Sequence, residues 1–74
     1  MISNLDAAKT VSDLMIEISK RVDDSIRLVQ QDCSDEEFRV YRLAAAKVLA
    51  EVYLEVMIPL YRTNPSLKPE GLKI

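Results

Sequence analysis

The chain has 74 residues, of which 49% are hydrophobic and 30% are charged, and its formal net charge is −2. A chain of this length forms one domain at most, and so small a core is usually supplemented by oligomerisation, a metal or disulfides. The absence of histidine and the single cysteine, Cys33, exclude a Cys/His zinc set and a disulfide framework within one chain, while the balanced charge does not favour general binding to nucleic acid or anionic membranes.

The first helix is predicted at about residues 4–31. Ser3 is the expected N-cap, because its hydroxyl can accept an amide of the first turn and Asp6 is favourable at the positive end of the helix. Thr10, followed by Asp13, is an alternative later start. Apolar residues then recur at spacings of three and four, which is typical of a helix that buries one side. This stripe consists of Val11, Met15, Ile18, Val22, Ile26 and Val29, with Leu14 and Leu28 at its margin.

A capping box marks the start of the second helix, predicted at about residues 35–62. Ser34 is followed three residues later by Glu37, so that each side chain can bond the backbone amide of the other. Asp35 and Glu36 add negative charge to the first turn, where the helix dipole favours it. Only two to four residues remain for the connection, and such a short link predicts an antiparallel helical hairpin.

The second helix is apolar nearly all round, and a helix of that kind must be covered on several sides. One face is assigned to the hairpin core and consists of Phe38, Ala45, Leu49, Val52 and Val56. The other face is assigned to a second chain or another partner and consists of Leu43, Ala46, Ala50, Tyr53, Leu54, Met57 and Tyr61. The alanines allow two helices to approach closely, although their high helix propensity also explains them.

The end of the second helix is marked by prolines. Pro59 lacks an amide and is expected to kink or end the helix, and Asn64 before Pro65 is the firmer stop. Residues 1–63 are therefore the hairpin and residues 64–74 are predicted to be an extended tail. Its aliphatic residues, Leu67, Leu72 and Ile74, either dock on the hairpin or belong to a frayed terminus.

The sequence contains no recognisable catalytic or cofactor motif. Cys33 has no histidine to act as its base, and the one glycine, Gly71, excludes a glycine-rich phosphate loop. Glu51 and Glu55 lie one turn apart, which leaves an enzyme with an acidic metal site between subunits as a minor alternative. We therefore expect no enzyme activity, no cofactor and no metal.

Nucleic-acid binding by a helical-hairpin dimer is the main alternative to protein binding. Basic residues that could form such a patch are Lys20, Arg21, Arg27, Arg39 and Arg42. Acidic residues interleave with them, so this function is not favoured.

The prediction is an all-α protein, an antiparallel helical hairpin that dimerises into a four-helix bundle. It is expected to be a small, non-catalytic, oligomerising interaction protein, such as an adaptor, regulator or chaperone, acting through helix contacts with its own copy or with a helix of another protein. The sequence shows neither a signal peptide nor an uncharged apolar stretch near the roughly 18 residues of a membrane span, and the unpaired cysteine predicts the reducing cytoplasm.

Overall fold

The structure, a computed structural model, describes residues 1–72 and confirms an all-α hairpin. Helix α1 spans Leu5–Asp32 and α2 spans Asp35–Glu51. The chain continues through a π-helical segment, Val52–Met57, into α3, Ile58–Thr63, and then through a 3-10 turn at Pro65–Leu67. The α2, π-helical and α3 segments together form the second helical arm, which lies along α1. The hairpin measures 44 × 19 × 16 Å.

Local capping signals explain where the two arms begin. The N-cap of α1 is Asn4 rather than the expected Ser3, and the Asn4 side chain accepts a hydrogen bond from the Ala7 amide at 2.9 Å. Thr10 does not start the helix, since it lies inside α1 and its hydroxyl donates to the Asp6 carbonyl. At the hairpin turn the predicted capping box is present. The Ser34 hydroxyl accepts from the Glu37 amide, and the Glu37 carboxylate accepts from the Ser34 amide, each at 3.2 Å.

The inner side of α1 is the predicted apolar stripe, widened by two small residues. All six predicted positions, from Val11 to Val29, are half-buried, while Ala8 and Ser12 are fully buried. On the facing arm Ala45 is buried, and the other residues assigned to the hairpin core are half-buried: Phe38, Leu49, Val52 and Val56. In the half of the hairpin near the turn, the two arms thus pack as two ordinary α-helices with a regular repeat.

The register changes in the π-helical segment. The Ile58 amide donates to the Tyr53 carbonyl, five residues back, instead of four as in an α-helix. Because each α-helical residue turns the chain by about 100°, one extra residue in a turn rotates everything after it by about that angle. Met57 and Tyr61, assigned from the sequence to the partner face, are consequently buried inside the hairpin beside Leu60.

Pro59 accounts for the position of this wide turn. Its ring has no amide to donate and would clash with the Glu55 carbonyl in a regular α-helix. The turn immediately before it widens, and the arm then continues to Thr63 rather than ending at the proline. The expected kink or stop at Pro59 is therefore replaced by a local change of helical pitch.

The core is concentrated where the two chain ends meet. Ala8, Met57, Leu60 and Tyr61 form the buried cluster. The Ser12 and Tyr61 hydroxyls bond each other at 2.5 Å within it. Leu67 and Leu72 pack against the same cluster, and part of the segment predicted to be extended is the 3-10 turn. Ile74 lies outside the described residues.

The amino-terminal residues are held by the end of the second arm. The Asn64 side chain is buried and donates to the Ile2 carbonyl at 2.7 Å. The terminal ammonium of Met1 donates to the Thr63 hydroxyl at 2.8 Å. These contacts close the open end of the hairpin, opposite the turn.

Replacing Tyr61 by phenylalanine should lower the free energy of unfolding by about 1–2 kcal/mol, because it leaves the buried Ser12 hydroxyl without its partner. The matched control is Tyr41→Phe, which removes the exposed bond to the Ser25 hydroxyl and should cost less than about 0.5 kcal/mol. Urea unfolding at one fixed protein concentration measures both. Equal losses would contradict the buried assignment of Tyr61.

Deleting Glu55 together with Pro59→Ala should convert the second arm into one continuous α-helix and keep Met57, Leu60 and Tyr61 in the core. We expect the free energy of unfolding to stay within about 1 kcal/mol of the parent. Deleting Lys47 from the regular part of α2 is the control. It rotates one half of the arm by about 100° and should cost more than about 2 kcal/mol. Urea unfolding followed by circular dichroism measures the free energy of unfolding of both deletion variants. Equal losses in the two variants would refute the register change.

Candidate interaction surface on the second helical arm

The hairpin leaves many of its apolar side chains uncovered. Among residues 1–72, five hydrophobic residues are buried, whereas ten large ones are exposed. The exposed set includes Leu5, Leu14, Ile16 and Leu28 on α1, and Val40, Tyr41, Leu43 and Val48 on α2. Single exposed hydrophobics are ordinary on a protein surface, but rows of them along a helix indicate interaction sites.

One such row follows the outward side of α2 and is here called the apolar face. It consists of Leu43, Ala46, Ala50 and Leu54, at successive spacings of three and four residues. Leu43 is 64% exposed and Leu54 57%, and both alanines are exposed between them. Of the remaining residues predicted for this face, Tyr53 is half-buried and packs against the core cluster, while Met57 and Tyr61 are in the core.

A second row lies on another side of α2 and was missed from the sequence. It is here called the acidic flank and consists of Glu37, Val40, Ala44, Val48 and Glu51. Its spacings of three and four residues are the signal that could have revealed it. An open groove beside it is lined by Glu36, Glu37, Val40, Tyr41 and Ala44. The Tyr41 hydroxyl bonds the Ser25 hydroxyl at 2.6 Å and joins this flank to α1.

The two rows differ in their charges. The capping hydrogen bonds from Ser34, first its backbone amide and then its hydroxyl, hold the pKa of Glu37 below its ordinary value of 4.5. The acidic flank therefore carries carboxylates at two of its five positions. Lys47 lies between the two rows, and Glu51, the last residue of the acidic flank, is its neighbour one turn on. Both are exposed, and within residues 1–72 neither forms an ion pair.

The basic residues do not gather into one patch. Arg27 bonds Asp23 at 2.8 Å and Asp24 at 3.1 Å. Arg21 lies 3.8 Å from Glu17. Arg39 and Arg42 share an open groove with Gln30, Phe38 and Asp35, so one acidic group lies beside these two basic ones.

The described part of the chain contains no group of three or more His, Cys, Asp or Glu residues that could hold a metal ion. Glu51 and Glu55 are both exposed. Cys33 is exposed at the hairpin turn. None of the helices among residues 1–72 combines the length and apolar character that crossing a membrane requires.

No protein-family model, curated protein or solved structure matches this chain. The function proposed below therefore depends on the geometry of its own surface.

Acid should remove the contribution of Glu37 to stability. The pKa of Glu37 is lowered in the folded state, so its contribution is present above the ordinary value of 4.5 and is lost as the pH falls through the lowered value. Glu37→Gln should therefore reduce the urea midpoint at pH 7 and have a smaller effect at pH 3. Glu36→Gln, outside the capping box, is the control and should show no such pH-dependent difference. An effect of Glu37→Gln that is equal at both pH values would contradict this assignment.

Proposed function

We propose that this chain is a self-associating, non-catalytic interaction protein that forms a homodimeric four-helix bundle through the apolar face. The observation that carries the proposal is the size of the surface. At 8.4 kDa, a compact folded monomer exposes about 4600 Å². This hairpin exposes 5529 Å².

The exposed area in excess of a compact monomer matches the area that each copy buries in a dimer. It amounts to roughly 900 Å², and a standard-sized protein interface buries about 800 Å² on each partner. One additional copy therefore supplies the missing cover, and no larger assembly is required to explain the surface.

The shape supports the same proposal. The radius of gyration is 14.5 Å, whereas a compact domain of this length has a value of about 11 Å. Two packed layers of secondary structure around one core are the usual minimum for a stable domain. A single hairpin is one layer, and a second hairpin laid on it completes the bundle.

Association also supplies the stability that a small core lacks. Leu60 is the one large side chain among residues 1–72 that is essentially inaccessible to solvent. Burying Leu43 and Leu54 between two copies adds roughly 1.5–3 kcal/mol for each leucine that becomes fully covered. Folding and dimerisation are then coupled, as in other small chains stabilised by oligomerisation.

The dimer acts through helix contacts in an adaptor, regulatory or chaperone role rather than through catalysis. The unpaired and exposed Cys33 suits a reducing compartment, which supports a cytoplasmic location. The alternation of acidic and basic groups favours protein binding over nucleic-acid binding.

Replacing Ala50 by glutamate should weaken the dimer by more than about 100-fold, which corresponds to about 3 kcal/mol, because a carboxylate is desolvated at the interface on each copy. Ala44→Glu places the same charge on the acidic flank of the same helix and should leave the dimer intact. Sedimentation equilibrium across micromolar concentrations measures both variants. A parent chain that stays a folded monomer, or an Ala50→Glu variant that dimerises as tightly as the parent, would refute the proposal.

A further inference from the structure

The orientation of the two copies follows from the pattern of the apolar face, provided that the proposed self-association holds. We propose that the two α2 helices meet antiparallel, around a two-fold axis that passes between Ala46 and Ala50. Reciprocal ion pairs between Lys47 of each copy and Glu51 of the other border the contact. The occupant of the apolar face is thus a second copy of this chain in one defined register.

The apolar face is nearly symmetric about its own centre. An antiparallel two-fold contact there sets Ala46 opposite Ala50 of the second copy, and Leu43 within one residue of Leu54, about 1.5 Å along the axis. The small side chains lie at the centre and allow the helix axes to approach closely, while the leucines close the contact at both ends. A two-fold interface requires this kind of self-complementary surface.

The charges beside the face select the antiparallel orientation. In that register Lys47 comes opposite Leu49 of the second copy. Glu51 of the second copy lies two residues from that point, about 3 Å along the axis, which is within reach of the long lysine side chain. The same pair repeats on the other side of the axis. In a parallel two-fold contact, the edge that carries Lys47 and Glu51 would instead face the opposite edge of the second copy, and the two residues would not meet. Both side chains are exposed and have no ion-pair partner within residues 1–72, so they are available for these contacts.

The acidic flank cannot serve as the self-association surface in a comparable way. An antiparallel contact centred on Ala44 sets Glu37 opposite Glu51 of the second copy. A parallel contact sets each glutamate opposite itself. Like charges face each other in both orientations, and such contacts are unfavourable. Charge complementarity therefore assigns the second copy to the apolar face.

Helix α1 extends the same side of the hairpin. Ser25 of α1 bonds Tyr41 on the side of the acidic flank. Ile16 lies about half a turn from Ser25 around α1, so it lies on the side of the apolar face. Ile16 is 42% exposed. A second copy seated on Leu43 and Leu54 covers it as well, which brings all four helices into the bundle.

Disulfide trapping tests the register. In a Cys33→Ser background, Ala46→Cys and Ala50→Cys chains are prepared separately, mixed and oxidised with diamide. A disulfide requires Cα atoms about 4.4–6.8 Å apart, which the antiparallel contact provides only between unlike variants. Trypsin places residue 46 in the peptide 43–47 and residue 50 in the peptide 48–62, so mass spectrometry identifies the linkage. We expect the mixed disulfide to predominate, and the control mixture of Ala44→Cys and Val48→Cys to remain unlinked.

The outcomes separate the register from self-association itself. Linkage of like variants would overturn the antiparallel orientation, and linkage of the control mixture alone would overturn the choice of face. A dimer that forms no disulfide at positions 46 and 50 would also overturn the register while leaving self-association in place. A chain that is monomeric by sedimentation would overturn both proposals.

Charge reversal provides a second test in the otherwise unmodified chain. Lys47→Glu should raise the dimer dissociation constant by roughly 3- to 30-fold, because two attractions become two repulsions. The double variant Lys47→Glu/Glu51→Lys should recover most of that loss, since both pairs form again in reverse. Arg21→Glu changes the net charge equally on α1 and should leave the constant unchanged. A double variant no tighter than Lys47→Glu would overturn the pairing of Lys47 with Glu51.

Discussion

The wide helical turn before Pro59 decides which side chains of the second arm become core and which remain surface. A proline in a regular helix loses one hydrogen bond and crowds the carbonyl four residues earlier. The chain relieves this crowding by closing one turn with the bond from Ile58 to Tyr53. The rotation that results brings Met57, Leu60 and Tyr61 against Ala8. Without it, the regular helical repeat would place Met57 and Tyr61 on the outward side of the arm.

The same rotation divides the hairpin into two unequal halves. Among residues 1–72, the half opposite the turn holds four of the five buried hydrophobic residues, together with the Ser12–Tyr61 and Asn64–Ile2 hydrogen bonds. The half near the turn holds only Ala45 as a fully buried hydrophobic residue. Stability within one chain is therefore concentrated at one end. Exposed large apolar side chains lie on both arms, four on α1 and four on α2, and a second layer of helices is needed to cover them.

The features that depend on a few neighbouring residues were predictable from the sequence, and those that depend on cumulative rotation were not. Ser34 and Glu37 define the start of α2, and the stripe of α1 follows from its spacing, because each requires only an ordinary helical repeat. Met57 and Tyr61 were wrongly assigned to the partner face, because the ordinary helical repeat was continued through Pro59. The residues of the predicted partner face that are exposed are those that precede most or all of the wide turn: Leu43, Ala46, Ala50 and Leu54. The row of Val40, Ala44 and Val48 was overlooked because two faces already accounted for the helix.

The acidic flank gives the proposed dimer a reason to stop at two copies. A surface that pairs with itself around a two-fold axis closes, whereas a surface that pairs with a different patch of the next copy propagates into a ring or a fibre. Val40 and Val48 would invite such propagation if they lay on a neutral surface. Glu37 shares their row, and the capping bonds from Ser34 hold its carboxylate in place there. The side chain that completes the capping box of α2 thus also contributes negative charge to the surface that a third copy would have to approach.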